Sequence, residues 1–176
     1  MQIITTIIVL LLIIIAAILI LAARRPSVFR VERSTRIKAP AEKIFPLIND
    51  FHAWGNWSPY EKLDPAMKRT FSGAALGKGA VYGWEGNGKA GAGRMEIADV
   101  AAPSKVTIKL DFTRPFRASN MVDFTIEPQG AATQVTWAMH GPAPFMTKLF
   151  GLFMDMDKMI GKDFERGLAN LKAAAE

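Results

Sequence analysis

The feature that most limits what this chain can fold into is an uncharged apolar run from Ile3 to Ala23. At 1.5 Å per residue, a helix of this length extends about 32 Å, which matches the ~30 Å hydrocarbon core of a bilayer. Because Ile, Leu and Val occupy all of its sides, such a helix favours lipid around it. The sequence therefore predicts a transmembrane anchor within residues 1–25 and a separate domain over residues 26–176.

Basic residues follow the apolar run, and none precedes it. Positive flanks of a spanning helix stay in the cytoplasm, so we expect a single-pass membrane protein whose domain is cytoplasmic. Cations at this position also attract anionic lipid, by about 1 kcal/mol each. The six cations that follow the run are Arg24, Arg25, Arg30, Arg33, Arg36 and Lys38.

A cleaved signal peptide is the alternative interpretation of the same run. It requires a positive N-terminal region, a shorter apolar core and a small-residue cleavage site. Met1 and Gln2 carry no charged side chain, and Arg24-Arg25 directly after the run disfavours export. The anchor is favoured and the alternative stays open. The run has no face of small residues, so we expect no helix-driven dimer, and the oligomeric state is left open.

Composition excludes several classes of site and partner for this protein. The 176 residues carry a net charge of +6 and no cysteine. The absence of cysteine excludes disulfides and thiolate metal sites. The basic excess is concentrated after the apolar run instead of being interleaved with aromatic residues through the domain, so no nucleic-acid partner is expected.

Residue patterns predict an α+β domain. Apolar alternation predicts a first strand over residues 28–37, and Pro40 suits the first turn of a short helix. Turn signals then separate six more strands, at 67–72, 80–85, 93–100, 105–112, 120–127 and 133–140, whose short connections favour an antiparallel meander. After Pro144 the apolar spacing becomes helical and predicts one long helix of about seven turns that covers the sheet. Its apolar stripe comprises Met146, Leu149, Phe150, Phe153, Ile160, Phe164, Leu168 and Leu171.

Particular segments resemble the START-like, polyketide cyclase/dehydrase superfamily (SRPBCC). Residues 37–45 resemble its opening strand–helix junction, and Trp54–Tyr60, which reads WGNWSPY, resembles its W-x-x-W-S-P-W/Y loop. Residues 151–155 and 161–168 resemble the ending of bacterial members, and the whole likeness covers residues 28–175. The resemblance implies a helix-grip (START/Bet v1-like) fold, in which an antiparallel sheet wraps around the C-terminal helix and leaves an apolar cavity. It also implies binding of lipids, sterols, polyketides or other hydrophobic small molecules.

Large aromatic rings are the candidate lining of that cavity. Tryptophan and tyrosine combine an apolar body with a polar group, which suits a binding pocket. The same rings also fit an ordinary hydrophobic core, and both interpretations stay open. The candidate lining residues are Trp54, Trp57, Tyr60, Tyr82, Trp84, Phe112, Phe124, Trp137, Phe150 and Phe153.

Motifs that carry chemistry are weak in this sequence. Residues 86–91 spell G-x-G-x-x-G, but a predicted strand follows them, whereas a dinucleotide site needs a helix there. His52 and His140 lack the spacing of metal ligands, so no metal or cofactor is expected.

Four charged residues come nearest to an acid–base set: Glu85, Arg94, Asp111 and Asp123. Strand parity places Asp111 and Asp123 opposite the apolar face, and Glu85 adjoins a glycine turn. We predict no catalytic residue.

Three functions fit these observations. The favoured one is a membrane-tethered module that binds a hydrophobic small molecule or lipid in an apolar cavity. The second is a cyclase/dehydratase-like enzyme acting on a hydrophobic, polyketide-like substrate, and the third is a protein-interaction or co-chaperone-like module.

Overall fold

A computed structural model describes residues 2–176; Met1, the first residue of the predicted anchor, lies outside the described residues. The chain forms two compact units. The helical unit comprises residues up to Phe29 together with Pro142–Met156, and the sheet unit comprises Arg30–Gly141 together with Asp157–Glu176.

A seven-stranded antiparallel sheet dominates the sheet unit, with the order β1-β7-β6-β5-β4-β3-β2. Each predicted strand is present, and its ends lie within two residues of the predicted ones, because alternation and turn residues agree along this part of the chain. The strands are β1 Val28–Ile37, β2 Lys68–Gly73, β3 Ala80–Glu85, β4 Ala92–Ala101, β5 Lys105–Arg114, β6 Ala118–Gln129 and β7 Ala132–Pro142.

One face of the sheet is apolar and buried, as the alternation predicts. In β5, Val106 and Ile108 are fully buried. In β6, Phe124 is fully buried and lies opposite Trp137 of β7, one of a series of apolar pairs across these two strands. Such cross-strand pairs fix the register of the sheet, since a slip of one residue would turn them towards water.

Within residues 2–176, four α-helices and two short 3-10 helices accompany the sheet. Their bounds are α1 Gln2–Arg24, α2 Ala41–Asn49, α3 Phe145–Phe150 and α4 Met156–Ala175, with 3-10 helices at Phe51–Asn56 and Pro59–Lys62. Within residues 2–176, α1 is the one helix long and apolar enough to cross a membrane, by length and composition.

The C-terminal helix is long, but it begins later than predicted. The expected helix of about seven turns is instead α3 and α4, separated by a turn at residues 151–155. Gly151 ends α3, and its backbone N–H donates to the carbonyls of Thr147 and Leu149. The spacing of threes and fours continues across this turn in the sequence, which is why the break was missed.

Helix α4 packs its apolar stripe in the sheet unit, where Phe164, Leu168 and Leu171 are buried. Arg33 of β1 fixes the start of this helix, donating through Nε to Glu165 at 2.8 Å and through Nη2 to Asp157 at 2.8 Å. These two ion pairs raise the pKa of Arg33 above its already high value. The β1 strand and α4 are therefore joined by a forked guanidinium.

Candidate functional site

The tryptophan loop after α2 is tied down by its own indole groups. Trp54 Nε1 donates to the carbonyl of Ile48 at 3.0 Å, and Trp57 Nε1 donates to the carbonyl of Leu47 at 2.8 Å. Asn170 of α4 donates from its side chain to the carbonyl of Trp57 at 3.0 Å. The loop is thus held between the end of α2 and α4, with both rings buried.

Aromatic rings from the loop, the strands and α4 touch one another in a continuous series. Trp57 meets the ring of Phe124 at 6.0 Å, and Phe124 meets Trp137 at 5.0 Å. Trp137 in turn stacks on Phe164 of α4. We call this set the ring cluster; its members are Phe51, Trp54, Trp57, Tyr60, Phe71, Tyr82, Trp84, Phe112, Phe124, Trp137 and Phe164.

Trp137 gives the ring cluster an unusual polar feature. Its indole Nε1 is buried, and it makes no hydrogen bond to any of residues 2–176. The whole residue is only 3% exposed. A buried donor without an acceptor costs about 1–3 kcal/mol, so native proteins rarely retain one without a reason. An oxygen atom brought to this position would remove that cost.

A second polar feature lies where Tyr82 joins the cluster. Tyr82 donates through its hydroxyl to Glu61 Oε1 at 2.5 Å, and Arg69 donates through Nε to Glu61 Oε2 at 2.6 Å. The Glu61 side chain is only 9% exposed. Burial, followed by the hydrogen bond to Glu61, raises the pKa of Tyr82 above its ordinary value. A carboxylate held between a phenol and a guanidinium is a group that can take part in proton transfer.

The opposite face of the sheet carries a different polar group. Asp123 accepts from the Thr107 hydroxyl at 2.7 Å and lies 3.1 Å from Lys105 Nζ and 3.2 Å from His140 Nε2. Burial alone would raise the pKa of Asp123. The hydrogen bonds from these three partners outweigh that effect and bring the pKa below its ordinary value. In β6 the neighbours Val122 and Phe124 are buried on the apolar face, so the prediction that Asp123 lies on the opposite face is confirmed.

The other candidate acid–base residues form ordinary surface pairs. Asp111 accepts from Ser119 at 2.6 Å and pairs with Lys109. Glu85, exposed beside its glycine turn, pairs with Arg114 at 3.1 Å, and Arg94 pairs with Glu96 at 2.8 Å. Over the described residues 2–176, no three side chains of His, Asp or Glu converge as a group that could hold a metal ion.

The sequence model of the family described as polyketide cyclase/dehydrase and lipid transport matches residues 28–176. The chain belongs to this family. No curated protein sequence matches it.

Solved structures share the helix-grip fold of this family. Major latex-like protein 151 from Panax ginseng has a TM-score of 0.61 at 15% identity, covering 85% of this chain and 99% of that one. The Aha1 dimer from Colwellia psychrerythraea has a TM-score of 0.61 at 17% identity, over 84% of this chain and 96% of that one. DynU16, from the dynemicin biosynthetic locus, has a TM-score of 0.57 at 14% identity, over 82% of this chain and 46% of that one. At these identities the likeness concerns the fold.

In this polyketide cyclase/dehydrase family member, most of the predicted lining residues come together. The exceptions are Phe150 and Phe153, which lie in the helical unit with exposed rings. The other eight belong to the ring cluster: Trp54, Trp57, Tyr60, Tyr82, Trp84, Phe112, Phe124 and Trp137.

Sequence reasoning missed several members of the site. Phe164 was placed in the apolar stripe of the C-terminal helix but not among the candidate lining residues. Its place in that stripe, between Ile160 and Leu168, was the available signal. Glu61 directly follows the tryptophan loop, yet nothing in its spacing points to Arg69 and Tyr82, because those contacts depend on the pairing of β2 with β3.

Proposed function

We propose that this chain is a membrane-tethered module that binds a hydrophobic small molecule or lipid at the ring cluster. Family membership and the helix-grip fold indicate hydrophobic-ligand binding or cyclase activity. The observation that carries the proposal is the Trp137 indole N–H, buried within the rings and without a protein acceptor in the described chain. A largely apolar ligand with one oxygen atom would satisfy both the rings and this donor.

The eight predicted residues of the ring cluster are the proposed contact surface, and Phe51, Phe71 and Phe164 extend it. Phe150 and Phe153 are left out of this surface because they lie in the other unit. Contact with the rings supplies apolar burial at about 25 cal/mol per Å² before the costs of association. The hydrogen bond from Trp137 would fix the orientation of the ligand more than it would raise the affinity of the ligand.

The tether is α1, with the proposed boundary between anchor and domain at residues 25 and 26 and the domain on the cytoplasmic side. The support is the apolar length of α1 and the arginines that follow it. The chain has no cysteine, so Ala131→Cys, at an exposed loop, introduces a single thiol. In intact cells a membrane-impermeant maleimide should label this thiol only after lysis. Labelling without lysis would place the domain outside.

Ligand binding is tested on the full chain in nanodiscs of one synthetic phosphatidylcholine. Lipid extraction and mass spectrometry should recover an apolar molecule of the expression host in near-stoichiometric amount. All four tryptophans of the chain belong to the ring cluster, so energy transfer to a dansyl-labelled fatty acid reports on this site. The transfer should saturate and be displaced by unlabelled oleate. Transfer that rises linearly with probe, together with an empty extract, would contradict binding.

Trp137→Phe is the matched variant, because it keeps a ring and removes the N–H. If the ligand accepts from this donor, its affinity should fall about fivefold to tenfold, as expected for one hydrogen bond of about 1 kcal/mol. Phe116→Ala, at an exposed ring outside the ring cluster, should leave the affinity unchanged.

A reaction on the bound ligand is the second candidate, and Glu61 is the observation that favours it. This carboxylate is held by Tyr82 and Arg69 beside the ring cluster, where it could exchange a proton with a substrate. Glu61→Gln should then retain dansyl-fatty-acid binding and abolish conversion of the recovered ligand by the full chain. Equal conversion by the variant would remove Glu61 from any mechanism. The co-chaperone-like module stays a prediction.

A further inference from the structure

Five large apolar side chains of the helical unit face outward from α3 and the turn after it. Phe153 is 71% exposed and Phe150 is 57% exposed. So many large apolar groups within ten residues form a patch of the kind that marks an interaction site. We call it the apolar patch; its members are Phe145, Met146, Phe150, Phe153 and Met154.

The patch lies beside the C-terminal end of α1. The backbone N–H of Ala143 donates to the carbonyl of Ser27 at 2.8 Å, and Lys148 Nζ donates to the Ser27 hydroxyl at 3.0 Å. A side-chain carbon at Gly151 would lie 3.2 Å from Arg25 Nη1, so the turn after α3 is within reach of the side chain of the residue that directly follows α1. Where α1 leaves the hydrocarbon, α3 and its turn are therefore at the level of the lipid headgroups.

Charge in the helical unit matches an anionic surface. The unit contains three cationic side chains and one carboxylate: Arg24, Arg25 and Lys148, and Asp155. Interfacial segments combine such cations with phenylalanine and other apolar groups that enter the boundary between headgroups and acyl chains. Continuity with the end of α1, and this charge, favour a lipid surface over a protein partner.

We propose that residues 145–154 dock into the interfacial layer of an anionic bilayer, as a second lipid contact beside α1. The proposal rests on the proposed tether and goes beyond it, because a tether alone leaves α3 in water. Docking would bury the three exposed phenylalanine rings of α3 and its turn, and Lys148 would reach lipid phosphate.

Single-cysteine labelling of the full chain tests the docking. Phe153→Cys, Leu12→Cys and Ala131→Cys each receive the fluorophore NBD, and the chain is placed in vesicles of phosphatidylcholine and phosphatidylglycerol. Lipids with a doxyl group at a shallow or a deep acyl position then act as quenchers. We expect shallow quenching at position 153, deep quenching at position 12 in the middle of α1, and none at position 131 in its exposed loop.

The three positions separate the possible failures. Deep quenching at position 12 with none at position 153 would overturn the docking and leave the tether standing. No quenching at position 12 would refute the tether, and with it the docking. A blue-shifted but unquenched signal at position 153 would assign the patch to a second copy of the chain and overturn the lipid contact.

Lys148→Glu distinguishes an electrostatic contact with anionic lipid from a purely apolar one, because only the electrostatic contact depends on this charge. In vesicles with phosphatidylglycerol it should reduce quenching at position 153 severalfold, while quenching at position 12 stays unchanged. Unreduced quenching at position 153 would overturn the role assigned to Lys148.

Discussion

Phe164 of α4 stacks on Trp137 of β7, with ring centroids 4.2 Å apart and ring planes 9° apart. Phe164 is 2% exposed, and Trp137 also meets the rings of Trp57 and Phe124. This stack is the place where the C-terminal helix joins the aromatic face of the sheet. The helix and the candidate site therefore depend on the same contact.

Replacing Phe164 by alanine should lower the free energy of unfolding by about 3–5 kcal/mol, since it removes a fully buried ring and leaves a cavity. Urea unfolding of the full chain in nanodiscs, followed by tryptophan fluorescence, measures this. Phe116→Ala is the control: its ring is 80% exposed, and we expect a change within about 0.5 kcal/mol. Equal effects of the two variants would contradict the stack as a stabilising contact.

Gly167 allows this packing, because a side-chain carbon there would lie 2.6 Å from the Trp137 ring and 3.0 Å from Pro59. Gly167→Ala should therefore lower the free energy of unfolding by about 1–3 kcal/mol, despite the better helix propensity of alanine. Lys162→Ala is the control in the same helix. Lys162 is exposed, so its replacement removes no buried group and should change the free energy of unfolding by less than about 0.5 kcal/mol. Urea unfolding should show the larger loss at Gly167, and the reverse order would contradict the packing.

The two tyrosines of this chain, Tyr60 and Tyr82, should ionise well above the ordinary pKa of about 10. Burial raises the pKa of Tyr60, and burial followed by the hydrogen bond to Glu61 raises that of Tyr82. A group whose pKa is raised on folding stabilises the fold below its unfolded pKa and loses that contribution as the pH rises towards its folded pKa. The free energy of unfolding should accordingly fall with rising pH above about pH 10.

Phenolate absorbance measures this directly, since these residues are the chain's entire tyrosine content. At about pH 10 the folded chain should show almost no phenolate, whereas the urea-unfolded chain should be about half ionised. Tyr82→Phe should remove one titrating group and reduce the pH dependence of stability. Half-ionisation of the folded chain near pH 10 would contradict burial of both hydroxyls.

The strands of the sheet were predictable because apolar residues alternate with polar ones within each strand and so mark its buried face. Val106 and Ile108, or Phe124 and Ile126, alternate with polar residues, and Gly130 and Pro103 mark turns. The break between α3 and α4 was not predictable from periodicity, since Phe150, Phe153 and Ile160 keep helical spacing across a non-helical turn.

The candidate site was predictable in its residue types more than in its chemistry. Large rings cluster because they are the bulkiest apolar groups available, which the sequence shows. The missing acceptor of Trp137 and the contacts of Glu61 arise from the register of distant strands and loops, and no local pattern records them.

Asp123 should contribute stability that depends on pH. Its folded pKa lies below the ordinary value of about 3.9, since hydrogen bonds from Thr107, Lys105 and His140 outweigh the effect of burial. A carboxylate with a lowered pKa stabilises the fold above its unfolded pKa and loses that contribution as the pH falls through its folded pKa. Asp123→Asn should therefore cost roughly 1 kcal/mol near neutral pH, a figure reduced for solvent screening, and the cost should shrink below about pH 4.

Urea unfolding of both forms between neutral and acidic pH measures this difference. Glu127→Gln, at an exposed position of the same strand, serves as the control and should show little difference at any pH. If the deficit of Asp123→Asn stays constant down to about pH 2, its origin is the shape of the side chain rather than its charge. The Thr107 hydrogen bond would not account for that deficit, because an amide oxygen can still accept from that hydroxyl.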